Sequence, residues 1–340
     1  DEHEDEHEDE EEQRAKANSA AQLMEEIVTE ILARLPVKPL LRFRSVCKAW
    51  RAIISDPVFI RAHLRCPASN WERSPRFVIS PHTLDEDFGG EFNSLRYFSH
   101  CDGLVFAPTD TRLYVFNSAT REAITLPDGY RNFLRVGGRG CCYCGGLGLD
   151  PRTGKYKAVQ GFYRSWEPDT NLRTVMGMEV LTIAGEDGED WREIRNDPPY
   201  PWCPEPPRGI LHLSLGEEEF GITKLPDSLD PSLDDDFILD VLYGRDLCRV
   251  RALMNSLWQR RYSIELSSSF PCHTMSLPPF SNGIILWETD TVYCYDPATS
   301  KLTTICELDR MRYQRVRKWK NLFGFNVRPF TESLVRITSS

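Results

Sequence analysis

Residues 23–51 read Leu23-Met24-Glu25-Glu26-Ile27-Val28-Thr29-Glu30-Ile31-Leu32-Ala33-Arg34-Leu35-Pro36-Val37-Lys38 and, past Pro39, Leu40-Leu41-Arg42-Phe43-Arg44-Ser45-Val46-Cys47-Lys48-Ala49-Trp50-Arg51. Leu23, Ile27, Ile31 and Leu35 recur every four residues, with Met24, Val28 and Leu32 beside them. At 3.6 residues per turn this set covers about half the helix circumference, wider than the ~100° stripe of a helix buried on one side. Pro36 ends the helix, because the residue before a proline avoids helical dihedrals. Val37 to Arg44 reads as a second short helix with Pro39 in its first turn. A third carries Val46, Trp50, Ile53 and Ile54 on one face, and Asp56-Pro57 closes it. Three short helices cannot enclose that much apolar surface alone. Either they pack on the rest of the chain or they need another protein, and the width of the first helix's stripe favours a partner.

The quoted stretch, with Ile53-Ile54-Ser55-Asp56-Pro57 and Phe59 behind it, resembles the F-box of plant F-box proteins in order, spacing and residue type. One departure stands at the start, where Met24 occupies the place of the family's proline in Leu-Pro-x-Glu. A proline there pre-sets the first helical turn, whereas methionine keeps the helix and still fills an apolar pocket. The resemblance implies docking onto the Skp-type adaptor of an SCF (Skp–cullin–F-box) ubiquitin ligase. Carried over position by position, it assigns Leu23, Met24, Ile27, Ile31, Leu32, Leu35, Pro36, Leu40, Val46, Cys47 and Trp50 to adaptor binding and the bundle core.

Asp1 to Glu12 holds ten acidic residues and two histidines, and reads as a solvated, disordered tail extending to about residue 19. Without those ten, the chain's 51 acidic residues fall to 41 and balance its 41 basic ones, so the formal charge of −10 belongs to the tail. No stretch approaches the ~20 apolar residues of a membrane span, and the acidic start lacks the pattern of a signal peptide. Cytoplasm or nucleus is expected, with no membrane partner. The eleven cysteines are odd in number and scattered, so neither a disulfide framework nor a zinc site is indicated. Cys141, Cys142 and Cys144 read as small buried residues on a strand.

From about Arg65 onward, short apolar runs alternate with Gly, Pro, Asp and Ser clusters, the texture of many short strands. One element recurs: Asn117-Ser118-Ala119-Thr120, Asp150-Pro151-Arg152-Thr153 and Asp296-Pro297-Ala298-Thr299. Asn or Asp accepts a bond from the backbone two residues on, and proline pre-sets the turn, so each copy predicts a hairpin. Repeated hairpins with aromatic strands suggest a β-propeller, about six blades at ~40–45 residues each. These turns, with Cys101-Asp102-Gly103-Leu104, Trp191-Arg192-Glu193-Ile194 and Glu332-Ser333-Leu334-Val335, resemble the kelch-like F-box-associated domain. One departure is that Pro206-Pro207-Arg208-Gly209 leads straight to Ile210, where the family has a further strand; the blade count stays open there. The expected fold is thus α+β and multidomain: a three-helix F-box over 20–64, then an all-β domain over 65–340.

No catalytic constellation stands out. Gly137 to Gly148 lacks the strand–loop–helix setting and Lys-Ser/Thr of a phosphate loop. Asp234 to Asp236 reads as an acidic loop, and His100, His212 and His273 as structural residues. Arg310 to Lys320 holds six basic residues around Tyr313 and Trp319, a pattern that also suits a charged rim, and nucleic acid is not expected as a partner. Two function classes follow. In one, a non-catalytic receptor captures a target protein through its β domain, with Tyr163 and Trp166 as aromatic anchors on a loop. In the other, the β domain binds a small molecule or glycan and the F-box supplies scaffolding or turnover. Neither needs a cofactor.

Overall fold

The computed structural model describes residues 24–65, 77–81, 98–109, 112–127, 145–165, 175–183, 190–199, 209–224, 240–242, 246–249, 251–254, 257–260, 273–274, 284–288, 291–296, 299–307, 312–313, 317–318 and 325–337. The acidic tail, the cysteine group at 141–144 and the acidic loop at 234–236 lie outside these.

The chain opens with helices. α1 spans 24–33, α2 Val37–Phe43, α3 Lys48–Ser55 and α4 Pro57–Arg65. The fourth helix corrects the three-helix expectation. Asp56-Pro57 does end α3, but it also starts α4: proline sits at the first helical position, where no N–H is needed, and Asp56 Oδ1 accepts from the Val58 N–H at 2.7 Å. Cys47 caps α3 with its sulfur, accepting from the Trp50 N–H at 3.4 Å. Val46 therefore lies on the turn before α3 and not on its face.

A β-sheet-rich region follows. β1 (Phe77–Pro81) pairs antiparallel with β22 (Phe325–Pro329), from Phe77 opposite Pro329 to Pro81 opposite Phe325, so early and late chain share a sheet. The next four strands form one antiparallel meander: β2 (Ser99–Cys101), β3 (Leu104–Pro108), β4 (Leu113–Asn117) and β5 (Glu122–Thr125). A second meander holds β6 (Gly145–Leu149), β7 (Tyr156–Ser165), β8 (Val175–Ile183) and β9 (Arg192–Glu193). β10 (Gly209–Ser214) and β11 (Glu219–Lys224) make a hairpin. Two further meanders follow: β12 (Asp240–Leu242) to β15 (Leu257–Arg260), through β13 (Asp246–Arg249) and β14 (Arg251–Met254), and β16 (His273–Thr274) to β19 (Lys301–Glu307), through β17 (Ile284–Glu288) and β18 (Thr291–Asp296). β20 (Arg312–Tyr313) and β21 (Arg317–Lys318) form a last short hairpin.

The repeated turns are built alike. Asn117 Oδ1 accepts from the Ala119 N–H at 2.9 Å, and Asp150 Oδ1 from the Arg152 N–H at 2.8 Å. Thr153 and Thr299 donate back to the carboxylates of Asp150 and Asp296. Four residues on, the chain turns left-handed at Arg121, Gly154 and Ser300, with φ of 63°, 67° and 54°. A fourth copy escaped the sequence pattern because serine replaces Asn/Asp: Ser214 Oγ accepts from Glu217 N–H, and Glu218 has φ 59°.

The largest core cluster lies between the first two meanders, with Leu104, Phe106, Leu113 and Val115 on one side and Ala158, Leu181 and Ile183 on the other. Trp191 Nε1 donates to the Pro127 carbonyl at 2.8 Å across the same boundary. The second meander is joined to the β10–β11 hairpin by charge. Buried Lys157 reaches Asp150 at 2.9 Å, Glu218 at 2.8 Å and the Leu215 carbonyl at 2.8 Å, which uses all three of its donors. Arg192 grips both oxygens of Glu218. Those Arg192 bonds, and then Lys157, pull the Glu218 carboxyl down to about 2 despite burial. Burial opposes charge on Lys157 as well, but Glu218 and Asp150 outweigh it and its pKa is raised.

Candidate functional site

α1 uses its apolar residues on two sides. Val28 and Leu35 are partly buried, and Leu32 is 1% exposed, in a cluster with Val37, Leu40, Ile54 and Phe59. Facing outward are Met24, Ile27 and Ile31, at 69%, 53% and 56% exposed. Their i, i+3, i+7 spacing puts them on one stripe of the helix. Around the stripe lie Glu25, Glu26 and Glu30, the last paired with Arg34 at 2.7 Å across one turn. Exposed pairs of this kind contribute little to stability.

The eleven residues assigned to adaptor docking thus divide. Met24, Ile27, Ile31 and Val46 are exposed, and so is Cys47. Leu32 and Leu40 have almost no accessible surface and hold the helices together. Leu35, Pro36 and Trp50 are intermediate, with Trp50 edge-on to Phe43 at 5.3 Å between ring centroids. Leu23 lies outside the described residues. So does Trp166. Tyr163, expected on a loop, lies instead within β7, where its backbone pairs with Met176 of β8; its side chain is also outside the described set.

Two residues of the helical module escaped the sequence reading. Val58, in the first turn of α4, is 64% exposed and belongs with the outward apolar set by character. His63 is its opposite, 2% exposed, with Nε2 donating to the Leu35 carbonyl at 2.8 Å. It satisfies a carbonyl just past the end of α1, in the turn that leads to α2. Burial lowers its pKa below 6.5. The Asp56-Pro57 signature of a helix start could have found both.

Among the described residues, no group of three or more His, Cys, Asp or Glu side chains is placed to hold a metal ion. No described helix is long and apolar enough to cross a membrane. Burial pushes the Cys101 thiol up to about 12, which leaves it protonated and unreactive at neutral pH.

Comparison with known proteins agrees with this geometry. The family model for the F-box domain matches residues 22–61, from just before α1 to the middle of α4. The chain carries an F-box domain. Its relatives include an F-box/kelch-repeat protein of Arabidopsis thaliana, 25% identical over 54% of this chain and 47% of that protein. An F-box protein of the same plant is 26% identical over 51% of this chain and 48% of its own length. An F-box/LRR-repeat protein is 23% identical over 69% and 65% respectively. The F-box chain spans about half the length of the first two.

Proposed function

We propose that this F-box protein is a non-catalytic substrate receptor of an SCF-type ubiquitin ligase, working in the cytoplasm or nucleus. The helical module over 20–64 docks a Skp-type adaptor, and through it a cullin, while the region over 65–340 captures a target protein. The observation that carries this reading is the outward stripe of Met24, Ile27 and Ile31 on a helix whose other side is already buried. An apolar face of this kind, on a matched F-box, calls for a partner helix or groove. Five basic residues and no acidic one between Val37 and Arg51 suit a partner with an acidic rim.

The sheets support a propeller as the capture domain. Four are antiparallel meanders of four strands, the β10–β11 hairpin lies between the second and third, and β20–β22 with β1 would complete a ring of about six. Pairing of the first strand with the last is how such a ring avoids open edges. The end of β7, with Tyr163, and the segment after it, with Trp166, are our choice for target contact, since loops on a rigid scaffold vary without disturbing the core.

The docking reading is tested with Ile27→Asp and Ile31→Asp. Both positions are more than half exposed, so the free protein should keep its stability within ~0.5 kcal/mol. In the complex each would bury a carboxylate at a cost of several kcal/mol, enough to abolish co-purification with a Skp-type adaptor. Undiminished adaptor binding by both variants, with normal folding, would refute the assignment.

A further inference from the structure

The segment 330–337 runs between the helical module and the first meander and touches both. Glu332 and Leu334 face the helices. Leu334, 3% exposed, is a member of the core cluster of Leu32, Val37, Leu40, Ile54 and Phe59, and Glu332 lies 3.6 Å from Lys38 of α2. Ser333, Val335 and Ile337 face the other way, the alternation of an extended chain. Val335 and Ile337 join the main β core, and Asn117 at the end of β4 donates to Ser333 O at 3.2 Å and Val335 O at 2.8 Å. Glu122 of β5 accepts from Arg336 Nε and from the Ile337 N–H, both at 2.9 Å. On the same side Gly103, with φ 81°, leaves no room for a side chain: a Cβ would come within 2.7 Å of the Thr331 carbonyl.

Among the described residues, the helices' other apolar contacts with the sheets are few. Ile60 and Leu64 of α4 lean on the β core, and Ala119 leans on the helical cluster. Among the described residues, Leu334 is the one from beyond α4 in the buried helical cluster. We propose that segment 330–337 is a coupling strap, and Leu334 its positioning residue: it fixes the orientation of the docking helices relative to the target-capturing region. The proposal rests on the receptor reading for its purpose. A receptor whose two ends swing freely presents its target in many orientations; a strapped one holds a single orientation toward the ligase arm. Contacts between domains of a chain ordinarily permit relative motion unless the interface is apolar and well packed, and Leu334 supplies that packing.

The test uses the full chain with bioorthogonal spin labels replacing Ala52 on α3 and Lys155 at the β6–β7 turn, both exposed. The original protein should give one narrow distance distribution between the labels. Leu334→Ala should lose that single peak while adaptor affinity stays unchanged, because Leu334 does not touch the outward stripe. Leu334→Val, a milder truncation, covers the case in which alanine unfolds the helices; it should broaden the distribution to a smaller degree. A narrow, unshifted distribution in Leu334→Val and in any folded Leu334→Ala would overturn the strap. Failure of the original protein to bind a Skp-type adaptor would instead sink the receptor reading, and the distance measurement would still decide the coupling.

Discussion

Replacing Asn117 with alanine isolates the sheet side of the strap. The side chain is 1% exposed and makes four polar contacts: it accepts from Ala119 N–H at 2.9 Å, and its amide donates to Val335 O at 2.8 Å, Ser333 O at 3.2 Å and Ser333 Oγ at 3.3 Å. Ser333 is 0% and Val335 6% exposed, so water cannot replace the lost amide at their carbonyls. Each buried polar group deprived of a partner costs ~1–3 kcal/mol, which puts the two carbonyls at about 2–6 kcal/mol together. Ala119 lies on a half-buried turn that water can reach and adds less. Against a total stability of ~5–15 kcal/mol this is a large fraction. The assay is urea unfolding followed by far-UV circular dichroism. Thr299→Ala serves as the control: at the corresponding Asp296 turn of the β18–β19 hairpin it removes one exposed bond to Asp296 and should lose under ~1 kcal/mol. An Asn117→Ala variant within ~0.5 kcal/mol of the original protein would show that the strap is not held this way.

Buried His63 predicts a pH dependence. Its folded-state pKa is depressed, so the unfolded chain binds the extra proton first; stability is complete above 6.5 and falls as pH drops below it, by at most ~1.4 kcal/mol per unit. Thermal unfolding at pH 7.5 and 5.5 should show a smaller difference in His63→Gln, and equal differences would count against the assignment. For target capture, replacing Tyr163 and Trp166 together with alanine should reduce ubiquitination of a captured protein with an unchanged circular dichroism spectrum; unchanged modification would move the contact elsewhere.

The helical module was legible because apolar spacing reports a helix directly, and because the breadth of α1's stripe signalled two destinations. What the spacing could not do was sort them. Leu32 and Ile31 are neighbours of like character, yet one is 1% and the other 56% exposed. Their fates differ because Leu32 points at α2, α3 and Leu334, a residue 302 positions later in the chain. No local pattern carries that information. Asp56-Pro57 misled for a related reason: the pair is a stop for the helix before it and a start for the helix after it, and the pattern of apolar residues beyond Phe59 is too short to reveal the second role.

In the β region the turns were read more reliably than the strands, and the cause is physical. An Asn or Asp side chain closes onto its own backbone within two residues, so the signal and the structure share the same short segment. Strand order is set by partners far away, as with Phe77 opposite Pro329. The same distinction separates two kinds of residue at one turn. Asn117 was chosen by the turn, as the bond to Ala119 shows, but its amide end is spent on Ser333 and Val335, more than 210 residues on. A residue that satisfies a local and a remote demand at once cannot be exchanged for aspartate, its local equivalent. A carboxylate would keep the Ala119 bond and turn an acceptor toward two carbonyls. Asp150 and Asp296 occupy the corresponding place in turns that segment 330–337 is not seen to bond, among the described residues, and there the carboxylate is accommodated, at Asp150 by Lys157. The choice of Asn over Asp at this one turn is therefore a mark, readable in the sequence once the strap is known, of where the chain's last described segment crosses its first meander.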